Sequence, residues 1–392
     1  MKKIVVSIMI FSLVLGPAIV NALDVSIDNV ESNDFDSKIL KYMEHGHFPG
    51  LACGIVKNDT LVWSKGYGDA DLNAFNNRNV TTDTVFPMGS ISKSFAATAI
   101  MQLNESGRIS LDENISRFLP FDFKNPKYPD VNISARMLLA HQSSLKMMNI
   151  FTSAYCQIVR KPLDWLQRYL KRKSSWFDYA PGEDVCYASV DINILGYVIE
   201  KITGMKYADY CKENIFIPLK MYNTSFYLSD YNKEMLVRQY VWLNFFYLRI
   251  PFIKVTEIYF PGGGLRSNIN DLSHYLIMHT SGGSYDGVRI LSEESVKEMH
   301  SAQYPDTPEG GVFHGLGWYM WEANDSKIRG GHHGSHLGTF GAMLMRYSDK
   351  VGVMSFFNQH SYIRLILQID PPEKAEAGMA IVKALFEKAE EF

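Results

Sequence analysis

The sequence lacks an excess of positive charge. Its 39 Lys and Arg residues are outnumbered by 42 Asp and Glu residues, which leaves a formal net charge of −3, and like charges form no long run. A nucleic-acid-binding protein needs a basic surface, so this composition argues against that class. Repeats and low-complexity segments are also missing, while hydrophobic residues make up 46% of the chain. That fraction supports a packed core and argues against global disorder.

Cysteine is scarce, with four residues in the chain and none of them in a Cys-x-x-Cys pair. This spacing argues against a zinc knuckle or a thioredoxin-type redox site. Cys53 lies in the apolar stretch 51–56 and is predicted to be a buried thiol. Disulfides can form if a protein is exported from the cytoplasm, and the sequence does not decide which of Cys156, Cys186 and Cys211 would pair.

The apolar run nearest the N-terminus, residues 4–15, is shorter than the roughly 20 residues that a spanning helix needs. Lys2 and Lys3 precede it, and the small residues Val20 and Ala22 stand at the −3 and −1 positions of a cleavage site after Ala22. This layout predicts a secretory signal peptide over residues 1–22 and an extracytoplasmic protein, periplasmic or secreted. The alternative is an uncleaved membrane anchor.

Hydrophobic periodicity predicts strands at both ends of the chain and helices between them. Strands are expected at 51–57 and 60–66, joined by a turn at Asn58-Asp59, and again at 315–320, 339–346 and 351–357. Helices are expected at 35–48, 92–105, 162–173, 191–203, 206–214, 270–280, 292–300 and 372–390. The predicted fold is therefore α+β. An antiparallel sheet from residues 23–88 and 310–392 is flanked by helices, and a helical subdomain, 89–309, is inserted between its two parts.

Aromatic residues are concentrated between positions 240 and 260. Core packing is the first interpretation of this segment. A wall of an apolar substrate pocket and a peripheral contact with a membrane surface are the alternatives.

A Ser-x-x-Lys motif, Ser90 to Lys93, stands at the start of the helix predicted at 92–105. The first turn of a helix presents unpaired N–H groups that stabilise an oxyanion, and a lysine one turn later lies on the same face. A buried lysine with a lowered pKa can accept the serine proton. A second copy, Ser143 to Lys146, follows His141 in a predicted turn with no helix start, so it is discounted.

Two later segments complete the pattern. Tyr187-Ala188-Ser189 precedes a predicted helix, and a tyrosine hydroxyl facing the Ser–Lys pair could pass a proton to a leaving group. His332-His333-Gly334 lies in a Gly-rich stretch that leads into a strand. An edge strand beginning at Gly334-Ser335 would offer a backbone N–H as a second oxyanion donor.

These motifs, in this order, resemble those of the serine β-lactamase and penicillin-recognising hydrolase family, in its class C branch. That branch also contains D-Ala-D-Ala carboxypeptidases, D-amino-acid peptidases and esterases. The resemblance implies an acyl-enzyme on Ser90, with Lys93 as base or proton relay and Tyr187 as its acid/base partner. It implies an oxyanion hole formed by the N–H groups of Ser90 and Ser335, at the junction of the sheet and the helical subdomain. The substrate would be a small molecule or a peptide, and no cofactor is implied.

Two substrate-binding positions depart from the family pattern. Ser189 stands where the second motif commonly has Asn, and His332 stands where the third motif of β-lactamases usually has Lys. Gly334 and Ser335 fit the pattern. These departures favour amide or ester substrates over β-lactams. An imidazole with an ordinary pKa near ~6.5 at position 332 would favour carboxylate substrates below that pH.

Two other classes of function compete with the hydrolase. One is a catalytically silent relative that binds peptidoglycan fragments or acts as a scaffold, because a fold alone does not guarantee activity. The other is a metal enzyme that uses His332, His333 and His336, although their Gly-rich setting gives no fixed ligand spacing. The natural substrate and the oligomeric state are left open.

Overall fold

The computed structural model describes residues 34–73, 78–147, 162–243, 246–252, 257–304, 311–323, 325–359 and 373–392. The predicted signal peptide, 1–22, and Cys156 lie outside these residues. Cys53 and Cys211 are buried free thiols, as expected for Cys53. Among the helices in these ranges, none is both long and apolar enough to cross a membrane.

The main element is an antiparallel sheet of eight strands that come from both ends of the chain. The strands of the molecule, in chain order, are β1 (Gly50–Lys57), β2 (Thr60–Asp71), β3 (Arg78–Asn79), β4 (Phe86–Pro87), β5 (Gln239–Trp242), β6 (Tyr247–Ile250), β7 (Arg266–Ser267), β8 (Ser284–Tyr285), β9 (Val288–Arg289), β10 (Val312–His314), β11 (Tyr319–Glu322), β12 (Ile328–His336), β13 (Thr339–Arg346) and β14 (Val351–Phe357). The sheet order is β10-β11-β12-β13-β14-β1-β2-β3, while β4-β7, β5-β6 and β8-β9 form two-stranded pairs. This topology confirms the predicted α+β class.

Each predicted helix has a counterpart, and the short helix over Ala135–Leu139 was not predicted. The helices are α1 (Phe35–Gly46), α2 (Ser92–Glu105), α3 (Ala135–Leu139), α4 (Pro162–Leu170), α5 (Ser189–Thr203), α6 (Tyr207–Cys211), α7 (Ile269–Thr280), α8 (Glu293–Met299) and α9 (Glu373–Lys388). Helix α6 is shorter than expected, because the chain continues as a π-helical turn over Lys212–Phe216. The subdomain boundaries at 88/89 and 309/310 stay a prediction.

Local residue chemistry explains the first two elements. The Asp34 carboxylate caps α1 by accepting from the Ser37 backbone N–H at 3.1 Å. Asn58 and Asp59 join β1 to β2 with φ angles of 51° and 58°. Two consecutive left-handed residues form the type I′ turn whose twist matches a hairpin, which is why the sequence signal is reliable here.

One predicted strand is wrong. Residues 315–320 were expected to be continuous, yet Gly315 to Trp318 form a turn between β10 and β11. Gly315 N–H donates to the Trp318 carbonyl oxygen at 2.8 Å, and Gly317 has a φ of 71°. The apolar side chains of this turn are buried by tertiary packing, so they imitate a strand in the sequence.

Both faces of the central strands are covered, and this explains their continuous hydrophobic sequences. In β1, Leu51, Cys53 and Ile55 pack into a core shared with α1 and α9, whereas Ala52 and Val56 point into the larger core shared with α2, α5 and α7. Alternate side chains of a strand point to opposite faces, so a doubly covered strand is apolar along most of its length.

The aromatic segment between positions 240 and 260 is only partly core. Tyr240 and Phe260 are buried, in agreement with the first interpretation, and the Tyr240 hydroxyl donates to Asp71 at 2.9 Å. Phe246 and Leu248 are instead exposed on the β5-β6 hairpin. Contact of that hairpin with a membrane surface stays a prediction.

Aromatic and imidazole rings form a buried cluster beside the turn between β10 and β11. The His279 ring lies 4.5 Å from the Trp318 ring and 5.1 Å from the His300 ring. Both ring nitrogens of His279 are buried without a hydrogen-bond partner among the described residues. Burial lowers the pKa of His279 well below its ordinary range, and the neighbouring His300 lowers it further. His279 is therefore neutral in the folded protein at neutral pH.

Removing this imidazole should make the protein less sensitive to acid. Below about pH 6.5 the unfolded chain takes up a proton at position 279 that the folded chain refuses, so stability falls by up to ~1.4 kcal/mol per pH unit per histidine. We expect His279→Phe to lose less unfolding free energy than wild type between pH 7.5 and pH 5, measured by urea denaturation. The exposed residue His45 provides the control, and His45→Phe should keep the wild-type slope. Parallel slopes for wild type and His279→Phe would contradict this account.

Candidate active site

Ser90 lies on a single turn of 3₁₀-helix, Gly89–Ile91, directly before α2. Gly89 has a φ of 51°, and a Cβ added to it would lie 2.7 Å from the Ser335 backbone nitrogen. Only glycine fits both the left-handed backbone and this close approach. The chain therefore brings the turn that carries Ser90 against β12.

Lys93 lies one helical turn after Ser90 and is completely buried. Its Nζ donates to Ser90 Oγ at 2.9 Å and to the Gly262 carbonyl oxygen at 2.7 Å. Burial lowers the pKa of Lys93 to about 7. A large fraction of the amine is then neutral at neutral pH, as a proton acceptor requires.

Tyr187 reaches the same oxygen from the segment before α5. Its hydroxyl donates to Ser90 Oγ at 2.8 Å. The Lys93 Nζ also lies 4.9 Å from the centre of the Tyr187 ring. Three residues predicted as catalytic from motif order thus meet around one hydroxyl, although 97 positions separate Ser90 from Tyr187.

The third motif is placed differently from the sequence expectation. His332, Gly334 and Ser335 lie within β12, which runs between β11 and β13. Strand β12 begins at Ile328, earlier than the predicted start at Gly334-Ser335. Strand β11 pairs with residues 328–331, whereas Gly334 and Ser335 pair with β13, so within the described residues this half of the strand has a strand partner on one side, as an edge does. Gly334 is buried directly against the Met88 carbonyl, where a side chain would not fit.

His332 does not have the ordinary pKa that was expected. Its side chain is 3% exposed, and Nδ1 donates to the His333 carbonyl oxygen. Burial lowers the pKa of His332 well below its usual range, and the nearby Lys93 charge acts in the same direction. The expected protonation near pH 6.5, with a gain in carboxylate binding, is therefore contradicted. The imidazole at this position is neutral.

The structure does not bring the three histidines of this motif together. The His332 ring packs 4.8 Å from the Tyr319 ring, while the His333 ring lies 6.5 Å from the Trp321 ring. His336 Nδ1 instead lies 3.0 Å from the Gln239 amide nitrogen. Within the described ranges, no group of three or more His, Cys, Asp or Glu side chains could hold a metal ion.

The remaining predicted positions are also located. Ser189 is the first residue of α5 and is half-buried, two positions beyond Tyr187. The second Ser-x-x-Lys copy has no catalytic geometry, because Ser143 is completely buried and donates to Asp191 at 2.7 Å. The Lys146 Nζ lies over the Phe177 ring, 5.2 Å from its centre.

Sequence patterns missed several residues that build this site. The Gly262 carbonyl accepts from Lys93, and its N–H donates to the Asn193 side chain at 2.9 Å. Asp191 and His141 are buried side by side beneath Tyr187. One of these residues left a signal in the sequence. Asp191 is the single carboxylate among the apolar residues at the start of α5, and a carboxylate is rarely buried without a partner.

A comparison with protein families identifies the class of this arrangement. The family model described as Beta-lactamase matches residues 35–365. The chain therefore belongs to the beta-lactamase family, which confirms the resemblance seen in the motifs.

Individual relatives agree with that assignment. Beta-lactamase-like protein 2 of Dictyostelium discoideum is 28% identical over 277 residues, which cover 68% of this chain and 48% of that protein. The match thus spans about half the length of this curated relative. The octameric penicillin-binding protein homologue from Pyrococcus abyssi superposes with a TM-score of 0.75 at 25% identity, covering 90% of this chain and 77% of that one. The penicillin-binding protein from Bacillus halodurans shares the fold, with a TM-score of 0.66 at 19% identity over 84% of this chain and 97% of that one.

The lowered pKa of Lys93 predicts how the reactivity of Ser90 depends on pH. Above its pKa the amine is neutral and can accept the serine proton, so labelling of Ser90 by a fluorophosphonate probe should accelerate from pH 6 to 8 with a midpoint near ~7. An arginine stays protonated over this range. We therefore expect Lys93→Arg to be almost as slow as Lys93→Ala at every pH. The control is Lys146→Ala, which should label like wild type. Restoration of the wild-type rate by Arg would make Lys93 an electrostatic anchor only.

Proposed function

We propose that the protein is a serine hydrolase that cleaves an amide, peptide, β-lactam or ester bond through an acyl-enzyme on Ser90. The observation that supports this most directly is the convergence of Lys93 Nζ and Tyr187 Oη on Ser90 Oγ, at 2.9 and 2.8 Å. A serine hydroxyl needs an adjacent base to become a nucleophile, and a buried lysine with a pKa of about 7 is such a base.

The proposed reaction has two steps. Ser90 Oγ bonds to the acyl carbon while its proton passes to neutral Lys93. Tyr187 gives its proton to the departing alcohol or amine as the bond to the acyl carbon breaks, and Lys93 reprotonates Tyr187. Water then attacks the acyl-enzyme, releases the carboxylic acid and returns the proton to Ser90 Oγ.

Oxyanion stabilisation is assigned to the backbone N–H groups of Ser90 and Ser335. The close packing of Gly89 on Ser335 supports this assignment, because it brings the backbone next to Ser90 against the backbone of Ser335. Preorganised N–H donors are worth more at a buried site than in water, so a rigid pair of this kind lowers the barrier to acylation.

The substrate class follows from Ser189 and from the neutral His332. A cationic lysine at position 332 would attract a substrate carboxylate, whereas a buried neutral imidazole supplies only a hydrogen bond. We therefore propose small neutral esters or amides as better substrates than β-lactams. Hydrolysis of these molecules needs no cofactor.

The cellular setting is also a proposal. Residues 1–22 have the layout of a signal peptide, so we propose an extracytoplasmic enzyme that meets its small-molecule or peptide substrate in the periplasm or outside the cell.

Ser90→Ala should abolish turnover and leave the fold intact. Loss of a covalent nucleophile costs up to ~10⁶-fold in rate, whereas loss of a hydroxyl at a helix start costs only ~1 kcal/mol of stability. The measurement is hydrolysis of nitrocefin, a D-Ala-D-Ala peptide and p-nitrophenyl esters by wild type and Ser90→Ala, with circular dichroism to verify folding.

Two outcomes would contradict the acyl-Ser90 mechanism. One is a folded Ser90→Ala protein that keeps more than a few per cent of the activity, and the other is a covalent adduct mapped to Ser143. A wild type that hydrolyses none of the panel and is not labelled at Ser90 would favour the catalytically silent binding protein or scaffold.

The double substitution Ser189→Asn/His332→Lys should shift preference toward β-lactams. The missing amide and the missing charge together account for ~2–4.5 kcal/mol, equivalent to ~30- to 2,000-fold in transition-state binding. We expect wild type to favour a neutral p-nitrophenyl ester over nitrocefin in kcat/KM, with the same preference at pH 5.5 and 8 because His332 stays neutral. If wild type already favours nitrocefin tenfold and the double variant gains nothing on it, this account of the two positions is wrong.

A further inference from the structure

His141 encloses the backbone on both sides of Tyr187. Its carbonyl oxygen accepts from the Cys186 N–H at 2.8 Å, and its Nδ1 lies 3.4 Å from the Ala188 nitrogen. The His141 ring also packs on the Tyr187 ring, with 4.6 Å between centroids and 59° between planes. One residue thus contacts the tyrosine ring and both of its chain neighbours.

His141 is itself fixed from below. It is 3% exposed and has a φ of 58°, a left-handed conformation that few residues adopt without tertiary support. Its Nδ1 lies 3.2 Å from Asp191 Oδ2. The other carboxyl oxygen of Asp191 accepts from Ser143 Oγ at 2.7 Å, and Ser143 Oγ in turn accepts from the Leu145 N–H at 3.1 Å.

The proposal rests on the function proposed above. We propose that His141, held by Asp191, is a positioning residue that keeps the Tyr187 hydroxyl on Ser90 Oγ. Its role differs from that of Lys93, because Lys93 donates directly to Ser90 whereas His141 contacts Tyr187 and the residues on either side of it. Ser143 of the second Ser-x-x-Lys copy then has a structural role, because it donates to the Asp191 carboxyl group that holds His141.

The charges around His141 are compatible with this role. Lys93 on α2, His314 on β10 and His332 on β12 face it, and Asp191 lies on α5. Burial lowers the pKa of His141 and raises the pKa of Asp191, so both groups favour their neutral forms. A neutral pair can orient Tyr187 without adding net charge beside Lys93.

A misplaced Tyr187 has a specific kinetic consequence. A poor leaving group such as an alkoxide needs a proton as it departs, and general acid catalysis contributes typically 10²–10⁴-fold. A p-nitrophenolate leaves without that proton. Loss of Tyr187 positioning should therefore reduce hydrolysis of an alkyl ester far more than hydrolysis of a nitrophenyl ester with the same acyl group. A general loss of stability would reduce both equally.

The test compares two substitutions at His141 with one elsewhere. His141→Phe keeps a ring but loses Nδ1, and His141→Asn keeps a polar atom near Nδ1 and tolerates a left-handed backbone. The control is His279→Phe, which removes another buried histidine. Folding of every variant is checked by circular dichroism and thermal melting.

We expect His141→Phe to lose ~30- to 100-fold in kcat for the alkyl ester, with less than ~5-fold lost for the nitrophenyl ester and KM little changed. His141→Asn should recover at least ~3-fold of the alkyl-ester loss, and it also serves if the Phe variant does not fold. His279→Phe should change both esters by the same factor.

Two failures are distinguishable. Equal losses on both esters in the His141 variants, with hydrolysis still dependent on Ser90, would overturn the positioning role and leave the proposed function standing. Absence of Ser90-dependent hydrolysis in wild type would overturn the proposed function, and the role of His141 with it.

Discussion

The burial of the Lys93 ammonium group is the constraint on which the rest of the site depends. An unpaired buried cation is costly, and here it is compensated by hydrogen bonds to Ser90 and to the Gly262 carbonyl. The N–H of Gly262 is held in turn by Asn193 of α5. Helices α2 and α5 and the Gly-rich turn at Gly262 thus pack around the Lys93 amine. The same burial lowers the pKa of Lys93.

The sheet delivers the other wall of the site. Strand β12 lies inside the sheet, and its segment Gly334-Ser335 packs against Met88 and Gly89, just before the proposed nucleophile. Strand β13 pairs with this strand over residues 329–336 and β11 pairs with it over residues 328–331, and these ladders hold it rigid. Rigid elements position backbone donors more accurately than loops, which suits a strand that is proposed to hold an oxyanion.

The electrostatics of the site are set by neutral imidazoles. Burial lowers the pKa values of His141 and His332, and that of His314 to about 4. Lys93 is therefore the group of this set that titrates near neutral pH. A relative with a lysine in place of His332 would carry two cations here, and this difference underlies the proposed preference for neutral substrates.

The sequence by itself determined the features that local chemistry encodes. The Asp34 cap and the Asn58-Asp59 hairpin follow from contacts a few residues apart, the continuous apolar runs marked the buried strands, and the order of the motifs pointed to Ser90, Lys93 and Tyr187. Only the tertiary structure decided the rest. Whether His332 is charged depends on the strands and rings that cover it, and whether Gly315–Trp318 is a strand depends on what buries it. The contacts of His141 with Tyr187 and Asp191 join residues 46 to 50 positions apart. Such contacts leave no periodicity in the sequence, because only packing brings the partners together.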